Sequence, residues 1–205
     1  MGNCFITIGR EFGSGGHKIG QILSEKLEIA YYDNELLTLA AQRGELNREK
    51  FLKYDEKKHN AYLYESNYEG NENAKKGVSM QDALYWLQRD VILETAAQQE
   101  AVFVGRCADF ILKEAGKETV SVFIAAPTEY RAARTMEREG LDKKAALSLI
   151  KKKDKARKSY YESRTGKKWG ARESYDLYFD TGEQNFNDIA EQIIAEYRRR
   201  KAQMT

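Results

Sequence analysis

Proline occurs once in these 205 residues, at Pro127, and cysteine and histidine occur twice each. Cys4 and Cys107 are too few for a disulfide framework and too far apart for a paired metal-ligand spacing, so reduced thiols are expected. His17 and His59 alone make no metal site. A run of about 18 apolar residues is missing, which argues against a membrane-spanning helix, and the start lacks the charged head and apolar stretch of a signal peptide. Met1-Gly2-Asn3-Cys4 is followed by Ile6 where an acylation signal needs Ser or Thr. A cytoplasmic protein with no membrane partner is therefore expected. Net charge is scarce too. Thirty-four basic residues against 32 acidic ones leave +2, so no global field commits the chain to nucleic acid.

What is present suits one domain with a buried sheet. The β-branched, apolar run Cys4 to Ile8 breaks into glycines, and Ile19, Ile22, Leu23 and Leu27 then recur at helical spacing, which predicts strand, loop and helix. Ile29 to Tyr32 reads as a second strand, and Asp33 as the cap of a helix running to about Arg43, ended by Gly44. Residues 47–100 hold no strand signal. A helix is predicted over 48–65, a polar loop over 67–73, and a further helix from Ser79 and Asp82 through Leu84, Leu87 and Val91. Strands return at Ala101–Val104 and Val120–Ala125 with a helix between them through Ile111 and Leu112. Near-continuous apolar strands separated by helices indicate a parallel sheet. Pro127 precedes a helix that Gly140 ends, a long basic helix starts at Asp142, Tyr175–Asp180 reads as the last strand, and Ile189, Ile193 and Ile194 mark a final helix.

The segment GREFGSGGHKIG, residues 9–20, stands between the first strand and the first helix, where backbone N–H groups and a helix dipole can cradle an anion. Gly13, Ser14, Gly15, Gly16, His17, Lys18 and Ile19 are the expected contacts with the phosphates of ATP. Against the pattern G-x-x-x-x-G-K-[ST], Gly15 takes the second glycine, Gly16 the lysine and His17 the hydroxyl. Two cations flank the gap. Lys18 lies two residues beyond Gly16, about 200° around the helix, while Arg10 opens the loop and can fold over the anion, so Arg10 is expected to supply the catalytic charge. Arg131, Arg134 and Arg138 share one helix face; the first two are taken as further catalytic cations, against the alternative of a solvated face paired with Glu137 and Glu139. The run Lys151 to Lys158, near Tyr160, Tyr161 and Trp169, leaves RNA binding as a lesser reading. Cys107 reads as a packing residue.

Taken in order, ITIGREFGSGGHKIG (6–20), YYDNELL (31–37), VFVGRCADFIL (102–112), VFIAAPTEYRAART (122–135), DKARKSYY (154–161) and YDLYFDT (175–181) resemble the cytidylate kinase-like proteins, a branch of the P-loop nucleoside monophosphate kinases. The resemblance implies a three-layer α/β P-loop NTPase fold with five parallel strands. It divides one domain into a core (1–33, 101–127, 173–205), a helical NMP-binding flap (34–100) and a mobile lid (128–172). It implies ATP with Mg2+, no metal-ligating residue being singled out, and an acceptor that is a nucleotide of CMP or dCMP kind or a similar small phosphorylated molecule. It further implies that Arg106 of the Gly105-Arg106 pair binds the acceptor phosphate, that Asp33 lies near the acceptor nucleoside, and that Asp154 and Arg157 contact acceptor base or phosphates. Members carry a loop lysine and an acid before the G-R pair; here Gly16 and Val104 stand in those places. Small-molecule nucleotides are thus the expected partners of a monomer or homodimer, with nucleotide-dependent regulation without turnover as the alternative to phosphoryl transfer.

Overall fold

The computed structural model describes residues 2–33 and 80–204. The predicted helices over 34–43 and 48–65, the loop over 67–73 and the Ser79 cap lie outside the described residues.

Five strands form one sheet in the order β2-β3-β1-β4-β5, every neighbouring pair parallel. They are β1 (Cys4–Arg10), β2 (Ala30–Tyr32), β3 (Ala101–Val104), β4 (Glu118–Ala125) and β5 (Leu177–Asp180). The helices are α1 (Gly16–Leu27), α2 (Met80–Gln98), α3 (Ala108–Glu114), α4 (Thr128–Glu139), α5 (Lys143–Thr165) and α6 (Phe186–Gln203). Among the described residues none of these helices is long and apolar enough to cross a membrane.

Strand alternation sorts the core into two clusters. Cys4, Ile6 and Ile8 of β1 point with Val102, Val104, Val122 and Ile124 toward α1 and α6, whereas Phe5, Phe103 and Phe123 point the other way, toward α2 and α3. Both faces of the sheet are covered, which is why its strands read as unbroken apolar runs. One side chain breaks the pattern. Thr7, midway along β1 on the phenylalanine face, is 2% exposed.

The helix ends follow from local chemistry. Asp142 caps α5 by accepting from Ala145 N at 2.7 Å, and Gly140 and Gly166 take left-handed conformations just past α4 and α5. β5 begins at Leu177, two residues later than the sequence predicts. Tyr175 closes a 3-10 turn over Arg172–Ser174, and Asp176 turns its carboxylate to Ser121, accepting from the backbone N at 2.8 Å and the hydroxyl at 2.7 Å.

Candidate functional site

The carboxyl ends of the strands open into a cavity of about 640 Å3, the edge at which open parallel sheets carry their ligands. Seven of the residues lining it are Lys or Arg and three are Asp or Glu, so it favours an anion.

Its floor is the glycine-rich loop. Gly13 (φ 79°) and Gly15 (φ 92°) hold left-handed angles, and a β-carbon on Gly15 would lie 2.4 Å from the Phe186 ring. No side chain caps α1, so the positive end of its dipole faces the cavity through bare backbone. Lys18 is exposed at this rim, and Ser14 and Ile19 are buried behind it.

Arg10 reaches over the loop from the end of β1. Its Nη2 lies 3.1 Å from Asp33 Oδ1, and Asp33 Oδ2 accepts from His17 Nδ1 at 2.9 Å. Because a carboxylate only accepts, this contact places the ring hydrogen on Nδ1. Tyr31 Oη is also 2.8 Å from that nitrogen. Asp33 thus joins the strand-end cation to the first turn of α1.

Opposite Asp33 the chain makes a strained turn after β3: Gly105, Arg106 and Cys107 all take positive φ, at 80°, 59° and 56°. Two non-glycine residues in succession there cost energy, and such strain collects at ligand sites. The turn brings Arg106 to the cavity wall. Cys107 is 3% exposed and burial pushes its thiol up, which agrees with a packing role.

The arginines of α4 and α5 grip the loop from the far side. Arg131 donates from Nε to Phe12 O at 2.8 Å and pairs with both Glu11 (3.2 Å) and Asp154. Asp154 accepts from Phe12 N at 2.7 Å. Arg134 Nη1 donates to Gly13 O (3.3 Å), Ser14 O (3.2 Å) and Thr181 Oγ1 (3.0 Å). Arg157 donates to Arg10 O at 3.2 Å, and burial, with Arg10 nearby, draws its guanidinium down to about 9. Arg138 and Arg157 both stand over the Phe12 ring, at 4.8 and 5.4 Å. Of the residues singled out from sequence, Arg10, Lys18, Asp33, Arg106, Arg134 and Arg157 meet at the cavity, while Arg131 and Asp154 are spent on the loop backbone behind it.

Other residues of the site lie inside the blocks quoted above but are not singled out by the sequence. Glu11 accepts from Ala126 N at 3.1 Å, and Thr181 donates to Ser14 O at 2.8 Å. Phe12 carried a signal, an aromatic inside a phosphate-type loop. So did Thr7, a hydroxyl in an apolar strand.

The model of the cytidylate kinase-like family matches residues 5–183. A solved structure of an uncharacterized protein from Eubacterium ventriosum is 29% identical, with a TM-score of 0.72 over 96% of this chain and 99% of that one. A gluconokinase from Sinorhizobium meliloti (17% identical, TM-score 0.54, covering 97% and 92%) and a shikimate kinase from Aquifex aeolicus (16%, 0.51, 97% and 98%) share the P-loop NTPase fold. No curated protein matches this chain in sequence. A match that runs from β1 through the loop, the Gly105-Arg106 turn and β5 establishes descent: the chain belongs to the cytidylate kinase-like family.

Proposed function

We propose that this protein transfers the terminal phosphoryl group of ATP to a nucleoside monophosphate of CMP or dCMP kind, or a similar small phosphorylated acceptor. The observation that carries this reading is Arg10, whose stem lies against Gly16 of the glycine loop and whose guanidinium lies beside Asp33 and Gly105. It supplies a two-pronged cation to a P-loop variant with glycine in the lysine position. In this reading Gly13 to Ile19 hold the donor phosphates, and Arg106 takes the acceptor phosphate. Arg134 and Arg157 complete the positive wall, and Asp33 orients Arg10 and His17. Catalysis is then positioning and charge stabilisation around an in-line transfer, with no covalent enzyme intermediate.

Among the described residues no three His, Cys, Asp or Glu side chains converge to hold a metal ion. In this reading a magnesium ion would arrive on the nucleotide, held mainly by phosphate oxygens and water, and would neutralise phosphate charge.

A coupled assay of ADP formation with CMP, dCMP, UMP and AMP tests the reading, with Arg106→Ala as control. Acceptor-dependent turnover is expected, and Arg106→Ala should raise the acceptor KM far more than that of ATP. Equal loss for both substrates removes Arg106 from the acceptor side. The ion pair that already engages Arg10 favours one second reading, a nucleotide-binding regulator without turnover. Tight ATP binding with no turnover on any of the four acceptors would support it.

A further inference from the structure

The cavity has a second end, of different chemistry. Beyond Arg106 its wall is made by Thr7, Cys107, Asp109, Tyr160, Tyr161, Trp169 and Tyr175, with no Lys or Arg among them. Rings form most of that wall. Tyr175 stacks with Tyr161 at 6.0 Å between centroids and packs on Phe123 at 5.0 Å, and Trp169 meets Phe123 edge-on at 5.3 Å. Gly9 makes room for this cluster, since a β-carbon there would lie 3.1 Å from the Tyr175 ring.

Two hydroxyls in this chamber are buried without a hydrogen-bond partner among the described residues: Thr7 Oγ1, on a residue 2% exposed, and Tyr175 Oη, on one 8% exposed. The Tyr161 hydroxyl and the Gly170 backbone N–H lie near the Tyr175 hydroxyl, but neither meets it with hydrogen-bond geometry, and Tyr161 donates to Asp109 Oδ2 at 2.7 Å. Burial pushes the Asp109 carboxyl above its ordinary value, although the Tyr161 hydroxyl and nearby backbone N–H groups draw it back. Folded proteins rarely leave such groups unmet, and each one here faces the cavity.

We propose that this chamber is a specificity site that binds the uncharged, hydrogen-bond-donating end of the phosphoryl acceptor through Thr7, Tyr175 and Asp109. Its place within the acceptor rests on the transferase reading above; its existence as a binding site does not. Asp109 takes a donor such as an exocyclic amine or a hydroxyl, the Thr7 and Tyr175 hydroxyls meet lone pairs beside it, and the rings cover a flat face. A carboxylate or second phosphate would meet the Asp109 carboxylate, so acceptors with an uncharged far end are favoured.

Thr7→Val exchanges one hydroxyl for a methyl group of similar size, and Tyr175→Phe deletes one hydroxyl. Their melting temperatures without ligand should equal or exceed that of the parent, because unmet hydroxyls support no fold. In titration calorimetry each should weaken CMP binding roughly three- to tenfold, the loss of one ordinary hydrogen bond, and leave ATP affinity unchanged. The proposal is overturned if CMP fails to bind the parent, if both hydroxyl variants bind CMP as the parent does and only water fills the chamber, or if both lower the melting temperature. Failure of ATP to bind, or of turnover, with the CMP pattern intact would remove the transferase reading and leave the chamber standing.

Discussion

The guanidinium of Arg10 lies against the α-carbon of Gly105, so that a β-carbon there would stand 2.0 Å from its Nη1. Gly105 therefore serves two needs, a φ of 80° and an empty volume for the side chain that crosses it. Gly105→Ala should cost about 1–2 kcal/mol of stability from the left-handed backbone, because the clashing atom is the far end of a flexible chain and can move. The functional loss should be larger. Displacing Arg10 is expected to lower turnover by about tenfold or more, read by urea unfolding and steady-state kinetics on one preparation.

Arg10→Ala should cut the rate of transfer on the order of 10²-fold, if its contact strengthens as charge develops. Lys18, exposed at the rim, should affect mainly the KM for ATP when replaced by alanine. Single-turnover rates and ATP binding separate the two. The reverse pattern would place the working cation on the helix and not on the strand.

Arg131 offers a test of structure separated from chemistry. It is 6% exposed and joins Glu11, Asp154 and the Phe12 carbonyl. Arg131→Ala leaves two carboxylates facing each other, and should cost about 3 kcal/mol, the low end for breaking a buried pair, since both retain some solvent. The unfolding midpoint should fall before any effect on ATP affinity is measured at saturating nucleotide.

Asp109 should be a stability cost that function retains. Its folded value is raised by burial above the unfolded 3.8, so the folded state holds its proton longer than the unfolded state. Stability therefore falls as pH rises from 3.8 through the folded value, and stays lower above it. Asp109→Asn should remove that fall and raise the neutral-pH melting temperature, a pH series of thermal melts being the check. A parallel fall in both proteins would assign the slope to other groups.

Much of this could be read from the chain alone, because the signals were local. Apolar runs such as Val102–Val104 and the glycines at 13, 15 and 16 act through their own backbone, and their places in the structure follow. Arg10 likewise follows from its position at a strand end, whereas Asp33 and Arg106 follow from the family resemblance. The pairings were not legible. Nothing near Phe12 indicates that Asp154 and Arg131 hold its peptide from 142 and 119 residues away, and Arg131 reads in sequence as one member of a phosphate-facing stripe. Thr7 and Tyr175 likewise become a pair of unmet hydroxyls only when the sheet brings residue 175 to the first strand. The start of β5 escaped for a related reason. The 3-10 turn and the Asp176–Ser121 contact that delay it depend on a strand 55 residues earlier.

The grip on Phe12 has a mechanical consequence. Its N–H is tied to α5 through Asp154, its carbonyl to α4 through Arg131, and its ring is in contact with one guanidinium from each helix. An outward swing of α4 and α5 must drag the loop tip along or release all four contacts together, so loop and helices are geared to each other and not hinged apart. Hydrogen exchange at the Phe12 amide should then keep time with the opening of α5, and a nucleotide that stiffens the loop should slow exchange along the helix that holds it.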